Sequence, residues 1–230
     1  ASLITTVSEP LAEKLQQRNT APVKVLMNGY DPALFNPSAK LNKSRKSFRI
    51  VYCGGFFGGG DPTIFLDGLD LLVSRDSELS LFIETWFYGK SSDCIGSYIT
   101  ERPCKALIKS GGYLSHGDCL RKQAEAQVVF LVSHRSKGIV TGKLFEYLNS
   151  GSPILSVPGD DDITDRIIEE TKTGVVCRDK EEVCEQLLRW LKEWKTNPSL
   201  KLSTDKDLVS RYSRKEQTGE LASMLDKLVR

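Results

Sequence analysis

Long apolar runs are missing from this 230-residue chain. The longest, residues 128–132 and 153–157, fall far short of the roughly 20 apolar residues that a membrane-spanning helix needs. Net charge is nearly missing too: 32 basic residues against 30 acidic ones leave +2. That is too little for the electrostatic footprint of a nucleic-acid binder, so no nucleic-acid partner is expected. Histidine is scarce, with two in the chain, and no carboxylate or cysteine pattern has the spacing of a metal site, so no bound metal is expected. The six cysteines stand singly, without the close pairs of a zinc or redox motif. They read as reduced thiols of a cytoplasmic protein, and a disulfide framework fits a chain of this size less well. No signal-peptide pattern is read in these residues, so a secreted protein is not expected. The chain begins at Ala1, which reads as a piece of something longer.

What is present is a regular alternation. Short, β-branched and aliphatic stretches at residues 49–53, 79–86, 113–115, 128–133, 153–158 and 174–177 read as buried strands. Between them lie helical stretches. Residues 63–75 carry Ile64, Phe65, Leu69 and Leu72, with Asp61 as the expected N-cap and Pro62 at the first helical position. Residues 181–194 form an amphipathic helix through Val183, Leu187, Leu188 and Leu191, with Trp190 and Trp194 read as mainly structural, and residues 220–229 form another. Strands that are apolar throughout, alternating with helices, predict an α/β fold with a doubly wound parallel sheet of Rossmann-like type. The first part differs: residues 3–7, 9–17 and 23–27 predict a short β-α-β unit with no sheet of its own. A polar, turn-rich stretch follows. The expected division is therefore 1–30 for that unit, 31–48 for a linker, 49–212 for the main domain and 213–230 for a closing helix.

Ligands of such a sheet bind beyond the carboxyl ends of its strands, near the switch in strand order, and the loops there carry the candidates. The first is glycine-rich: Gly54, Gly55, Phe56, Phe57, Gly58, Gly59 and Gly60. Glycine lets a backbone approach a ligand closely, and the following helix offers free amides to a phosphate or sugar oxygen; a flexible turn is the competing reading. Phe56 and Phe57 displace the spacing of a dinucleotide fingerprint, and the next strand ends at Trp86 without an acid to grip a ribose, which disfavours a nicotinamide enzyme. The second loop leads from Gly138 through Thr141, Gly142 and Lys143 into a helix bearing Glu146. Gly138 and Gly142 are one residue too close for a nucleoside-triphosphate loop, and Leu144 stands where a magnesium-binding hydroxyl belongs, which argues against an ATPase. The amides of Thr141 and Gly142 and the charge of Lys143 suit a diphosphate, and Glu146 suits a pair of ribose hydroxyls. On residue type alone, a solvated lysine and a glutamate that complements the helix dipole compete with this reading. A third loop holds His116, and a fourth holds His134 and Arg135; contact with a ligand and local bonding are both open for these histidines.

The stretch Gly142, Lys143, Leu144, Phe145, Glu146, Tyr147, Leu148, then Gly151, Ser152, Pro153, Ile154 and Leu155 resembles the donor-site signature of family 4 glycosyltransferases of the GT-B fold, in their bacterial polysaccharide-synthesis branch. Val7, Ser8, Glu9, Pro10 and Leu11, and Asn28, Gly29, Tyr30 and Asp31 with Phe35 and Pro37, resemble that family's passage from acceptor to donor domain. Tyr113, Leu114, Ser115 and His116 resemble its base-side loop, and Tyr212, Ser213 and Arg214 the start of its closing helix. The resemblance covers essentially the whole chain. It implies the C-terminal, donor-binding half of a GT-B fold, with a short remnant of the other domain at the N-terminus. Glu146 would bind the ribose, the backbone near Tyr113 and Leu114 would face the base, and Gly138, Ile139, Val140, Thr141, Gly142 and Lys143 would face diphosphate and sugar together with Gly55, Phe56 and Gly58.

Two departures stand out. The family often carries two glutamates eight positions apart, and counting back from Glu146 reaches Gly138. The basic pair that usually follows the first donor-domain strand has no match between Phe56 and Asp61, so Lys143, with Lys90 or Arg135, would have to supply that charge. The expectation is a hexosyltransferase without a cofactor, using a UDP-sugar, with UDP-glucose favoured, and passing the hexose to a saccharide or lipid-linked acceptor held by the missing N-terminal domain. By itself this chain is expected to bind nucleotide and turn over poorly. The longer protein is expected in the cytoplasm, at the inner face of the membrane. A degenerate non-catalytic module and a sugar-nucleotide epimerase of similar fold are the alternatives.

Overall fold

A computed structural model describes residues 1–34, 46–56, 60–133, 136–198, 200 and 202–229. It opens with β1 (Ile4–Thr6), α1 (Glu9–Gln16) and β2 (Val23–Val25), and the two strands pair in parallel as a two-stranded sheet. The main sheet begins with β3 (Phe48–Cys53), followed by α2 (Thr63–Arg75), α3 (Ser77–Ser80), β4 (Ile83–Tyr88), α4 (Lys90–Tyr98) and β5 (Ile108–Ser110). Then come α5 (His116–Glu125), β6 (Val128–Leu131), α6 (Gly142–Ser150), β7 (Ile154–Ser156), α7 (Ile163–Thr171) and β8 (Gly174–Val176). α8 (Lys180–Thr196), α9 (Lys206–Ser210) and α10 (Arg214–Val229) complete the chain.

The six strands run β5-β4-β3-β6-β7-β8, every neighbouring pair parallel. This is the Rossmann order, in which the chain starts at the centre, winds outward to one edge, and returns to build the other half. The switch therefore lies between β3 and β6. Both strands are covered on both faces. Phe48, Ile50 and Tyr52 of β3 point into one cluster with Phe65 and Leu69 of α2 and Val183, Leu187 and Leu191 of α8. Val51 and Cys53 point into the other, with Phe145 and Tyr147 of α6 and Ile167 and Ile168 of α7. Burial on both faces explains why apolar residues run without alternation here. Close approach of α8 to α2 depends on Gly68, where a Cβ would collide with Val183.

The doubly wound α/β architecture is as the sequence implied, and several details differ. Residues 79–86 are not one strand: the carboxylate of Asp76 accepts the Leu79 amide, caps α3, and delays β4 to Ile83. Residues 113–115 are not a strand either. The edge strand is β5, whose one buried residue, Ile108, leaves no hydrophobic pattern to read, while Ser115 accepts the Asp118 amide and caps α5. At α2, Pro62 occupies the cap position, and Asp61 accepts from the Thr63 amide at 2.9 Å. α10 begins at Arg214, well before residue 220.

The N-terminal unit is held to the main domain chiefly through the chain's other end. The Tyr30 amide donates to the Tyr212 carbonyl at 3.0 Å, the Arg214 amide donates to the Tyr30 carbonyl at 2.8 Å, and Gln217 donates to the Asn28 carbonyl at 2.9 Å. Most of the stretch expected as a linker lies outside the described residues.

Candidate functional site

α6 starts directly beyond the switch point, and its two ends are fixed by local chemistry. Thr141 Oγ1 accepts the Lys143 amide at 3.1 Å and caps the helix, while Gly151 ends it in the left-handed region at φ 69°. The helix is fastened to the sheet by Tyr147, fully buried, whose hydroxyl accepts the Cys53 amide at 3.4 Å. Lys143 and Glu146 are three residues apart, so they share one side of the helix. Each reaches a different neighbour.

Lys143 crosses to the glycine-rich loop. Its ammonium donates to the Tyr52 hydroxyl at 2.9 Å and to the Gly55 carbonyl at 3.0 Å, and it lies 4.7 Å from the centre of the Tyr52 ring. The Tyr52 hydroxyl in turn donates to the Gly55 carbonyl at 2.8 Å. Burial pushes Lys143 down to about 8, opposed by the negative charge of Glu146. Gly54 must be glycine for two reasons: its φ is 119°, and a Cβ there would occupy the path of the Lys143 side chain. A cavity of about 100 Å³ opens at this point, lined by Gly55, Phe56, Gly60, Val132 and Thr141 with Tyr52 and Lys143.

Glu146 turns to α5. One carboxylate oxygen lies 3.1 Å from His116 Nε2, and the other accepts from Gln123 at 3.1 Å. A second cavity, of about 220 Å³, lies here between α5, α6 and the Asn28–Asp31 stretch, with Arg214 at the start of α10 on its wall. The two cavities flank the N-terminal half of α6. Cys53 and Cys119 meet behind Glu146, with Cys53 Sγ 4.0 Å from the Cys119 carbonyl; the neighbouring thiol and burial push Cys53 well up.

The approach to α6 is built around Gly138. Its amide donates to the Asp162 carboxylate at 2.6 Å, and Lys137 reaches the carbonyls of Asp160 and Asp161 at 2.6 and 2.9 Å. The loop before α6 is thereby tied to the loop before α7. Gly138 has φ 77°, and a Cβ on it would stand 2.9 Å from Pro10 of α1. A glutamate at this position would meet both backbone strain and the N-terminal unit. Ile139 is exposed at 42%, and Val140 packs partly against the second core cluster.

The structure thus brings together Gly55, Thr141 and Lys143 around the smaller cavity and Gly142, Glu146 and His116 around the larger one. The Tyr113 side chain is 89% exposed, and Leu114 packs partly into the core. The Phe56 ring joins an aromatic cluster with Tyr52, Phe87 and Tyr98, and Phe56 also lines the smaller cavity. Lys90 is the exposed first residue of α4. Gly58, His134 and Arg135 lie outside the described residues. Tyr52 was not legible as a site residue, because in sequence it is one more apolar-run aromatic of a buried strand. Asn28, Asp31 and Arg214 likewise gave no signal beyond their place in the resemblance. Among the described residues no group of three or more His, Cys, Asp or Glu is placed to hold a metal ion, and no helix is long and apolar enough to cross a membrane.

The order of the sheet and the α6 element define a Rossmann-like domain, the fold shared with glycosyltransferases of the GT-B type. No family profile matches the chain, and no curated protein is similar enough in sequence to count as a relative. Solved structures share the fold. A glycosyltransferase from Rickettsia africae superposes with a TM-score of 0.71 at 12% identity, over 100% of this chain and 64% of that one. Anabaena Alr3699/HepE, solved in complex with UDP, gives 0.69 at 14% identity over 99% and 64%. Sucrose-phosphate synthase from Thermosynechococcus elongatus gives 0.65 at 14% identity over 100% and 59%. The chain therefore spans about three-fifths of the length of these proteins.

Proposed function

We propose that this chain is the donor-binding domain of a family 4-like glycosyltransferase that holds a nucleotide diphosphate sugar, a UDP-hexose such as UDP-glucose, for transfer to a saccharide or lipid-linked acceptor in polysaccharide synthesis. The observation that carries this reading is the division of labour on α6: Lys143 stands at the glycine-rich loop, and Glu146 stands three residues on in a separate cavity. A diphosphate needs a cation and free amides, and a ribose needs a carboxylate that accepts from two hydroxyls; the two demands are met one helical turn apart. HepE, with the same fold, was solved with UDP, which supports the choice of nucleotide.

In this reading the diphosphate lies against Gly55, Thr141, Gly142 and Lys143, and the ribose takes the bonds that Glu146 now makes to His116 and Gln123. Developing charge on the departing diphosphate is stabilised by Lys143 and the α6 N-terminus. The base faces the backbone at Tyr113 and Leu114, and the sugar faces Gly138, Ile139 and Val140. Residues 1–30 belong to the acceptor domain, residues 31–48 link it to the donor domain, and the whole protein works in the cytoplasm at the membrane surface. A non-catalytic nucleotide-sugar-binding module is a second reading, favoured by one observation: the backbone at Gly138 leaves no room for the family's first glutamate.

Calorimetric titration with UDP, UDP-glucose, GDP-mannose and NAD, repeated on Glu146→Ala, tests the donor site. Binding of a UDP compound is expected, weakened about tenfold or more in the variant, the size of a lost hydrogen bond to a charged group. Silence with all four ligands overturns the reading. Sugar transfer by the full-length protein separates the catalytic from the non-catalytic version.

A further inference from the structure

Tyr52 sits on the central strand, beneath the glycine-rich loop, and does three things at once. Its hydroxyl accepts from Lys143, it donates to the same Gly55 carbonyl that Lys143 bonds, and its ring lies under the ammonium. Lys143, Tyr52 and Gly55 thus close a cycle of three hydrogen bonds around a half-buried cation. A lysine side chain loses considerable rotamer freedom when fixed. A cation already fixed has met that cost before a ligand binds. An ammonium has three donors. Among the described residues Tyr52 and Gly55 are its two hydrogen-bond acceptors, and Lys143 lines the adjoining 100 Å³ cavity. The family's usual basic pair has no match between Phe56 and Asp61, and among the described residues Lys143 is the cation that lines this cavity.

We propose that Tyr52 is a positioning residue of the donor site, holding the Lys143 ammonium against the glycine-rich loop so that it is in place to receive a diphosphate. This rests on the donor-binding reading above. The titratable groups facing Lys143 are Tyr52 and Cys53 from β3 and Glu146 from its own helix. Tyr52 and Cys53 are both pushed up, mainly by burial in the first and by Cys119 in the second, and stay protonated. Lys143 is thus the group among them that changes charge in the mildly alkaline range, and diphosphate affinity falls as pH rises through about 8 and the ammonium loses its proton.

The variant to make is Tyr52→Phe, which keeps the ring and removes the hydroxyl. Two quantities are read: the Lys143 titration midpoint, from lysine side-chain NMR assigned with Lys143→Met, and the affinity for UDP and for inorganic pyrophosphate against pH. The midpoint is expected to move down, because the ammonium loses an acceptor, and both affinities at neutral pH to fall about tenfold. A purely structural role for Tyr52 would lower thermal stability without moving the midpoint. Wild-type binding that weakens in Glu146→Ala yet is unchanged, with an unchanged midpoint, in Tyr52→Phe overturns the role of Tyr52 and leaves the donor reading standing. No wild-type binding of UDP or pyrophosphate removes both. Should Tyr52→Phe fail to fold, 3-fluorotyrosine at position 52 preserves the shape: its fluorine resonance is expected to follow the Lys143 titration and to lose that transition in Lys143→Met. A resonance indifferent to Lys143 overturns the proposal.

Discussion

The six-stranded sheet and the N-terminal β-α-β unit are built from the same kind of element and differ in what covers them. In β6 every residue from Val128 to Leu131 is wholly buried, with helices on both faces. In β1 and β2 the middle residue is exposed, the outer ones are half-buried, and α1 buries none of its residues. Pairing alone makes the second pair of strands, whereas burial on two faces makes the first. The lesson is that strand identity is shared while stability is not, because the hydrophobic contribution scales with area removed from water.

Substitutions can break or sharpen that contrast. The largest effect is expected at Phe130, fully buried and stacked on Phe65 with ring centres 4.0 Å apart. Phe130→Ala should destabilise the fold by about 3–5 kcal/mol in chemical denaturation, and a loss below about 1 kcal/mol would mean that the central sheet is not the stabilising core. Gly138→Ala comes next, at about 2 kcal/mol, since it adds a Cβ at positive φ against Pro10, where the two regions touch. An unchanged stability there would show that α1 does not rest on this loop in solution. The smallest is Leu11→Ala on α1, at under about 1 kcal/mol for global unfolding. Hydrogen exchange gives the matching dynamic measurement: the Leu26 amide, bonded to Thr6, should exchange by local opening long before the Val129 amide, bonded to Pro153. Equal protection of the two would erase the distinction.

Much of the main sheet was legible because its strands are apolar throughout, a pattern that follows from burial on both faces and is carried by each strand separately. β5 was not, since an edge strand of three residues with one buried side chain has no pattern to show. At the site, Lys143 and Glu146 could be read because both lie on one short helix with its own cap and stop. Tyr113 and Leu114 are the opposite case: only the family motif points to their loop, since the Tyr113 side chain stands in solvent and carries no burial pattern to read.

By itself the sequence determined the alternation of buried strands and helices, hence the parallel sheet, and the α6 element with its cation, carboxylate, capping threonine and terminal glycine. These are local properties, set by side-chain size, polarity and spacing. Only the tertiary structure decided that Lys143 meets Tyr52, 91 residues away, that Glu146 meets His116, 30 residues away, and that Gly138 lies against Pro10. Those encounters depend on which strands become neighbours when the chain crosses over the sheet, and no spacing along the sequence records that.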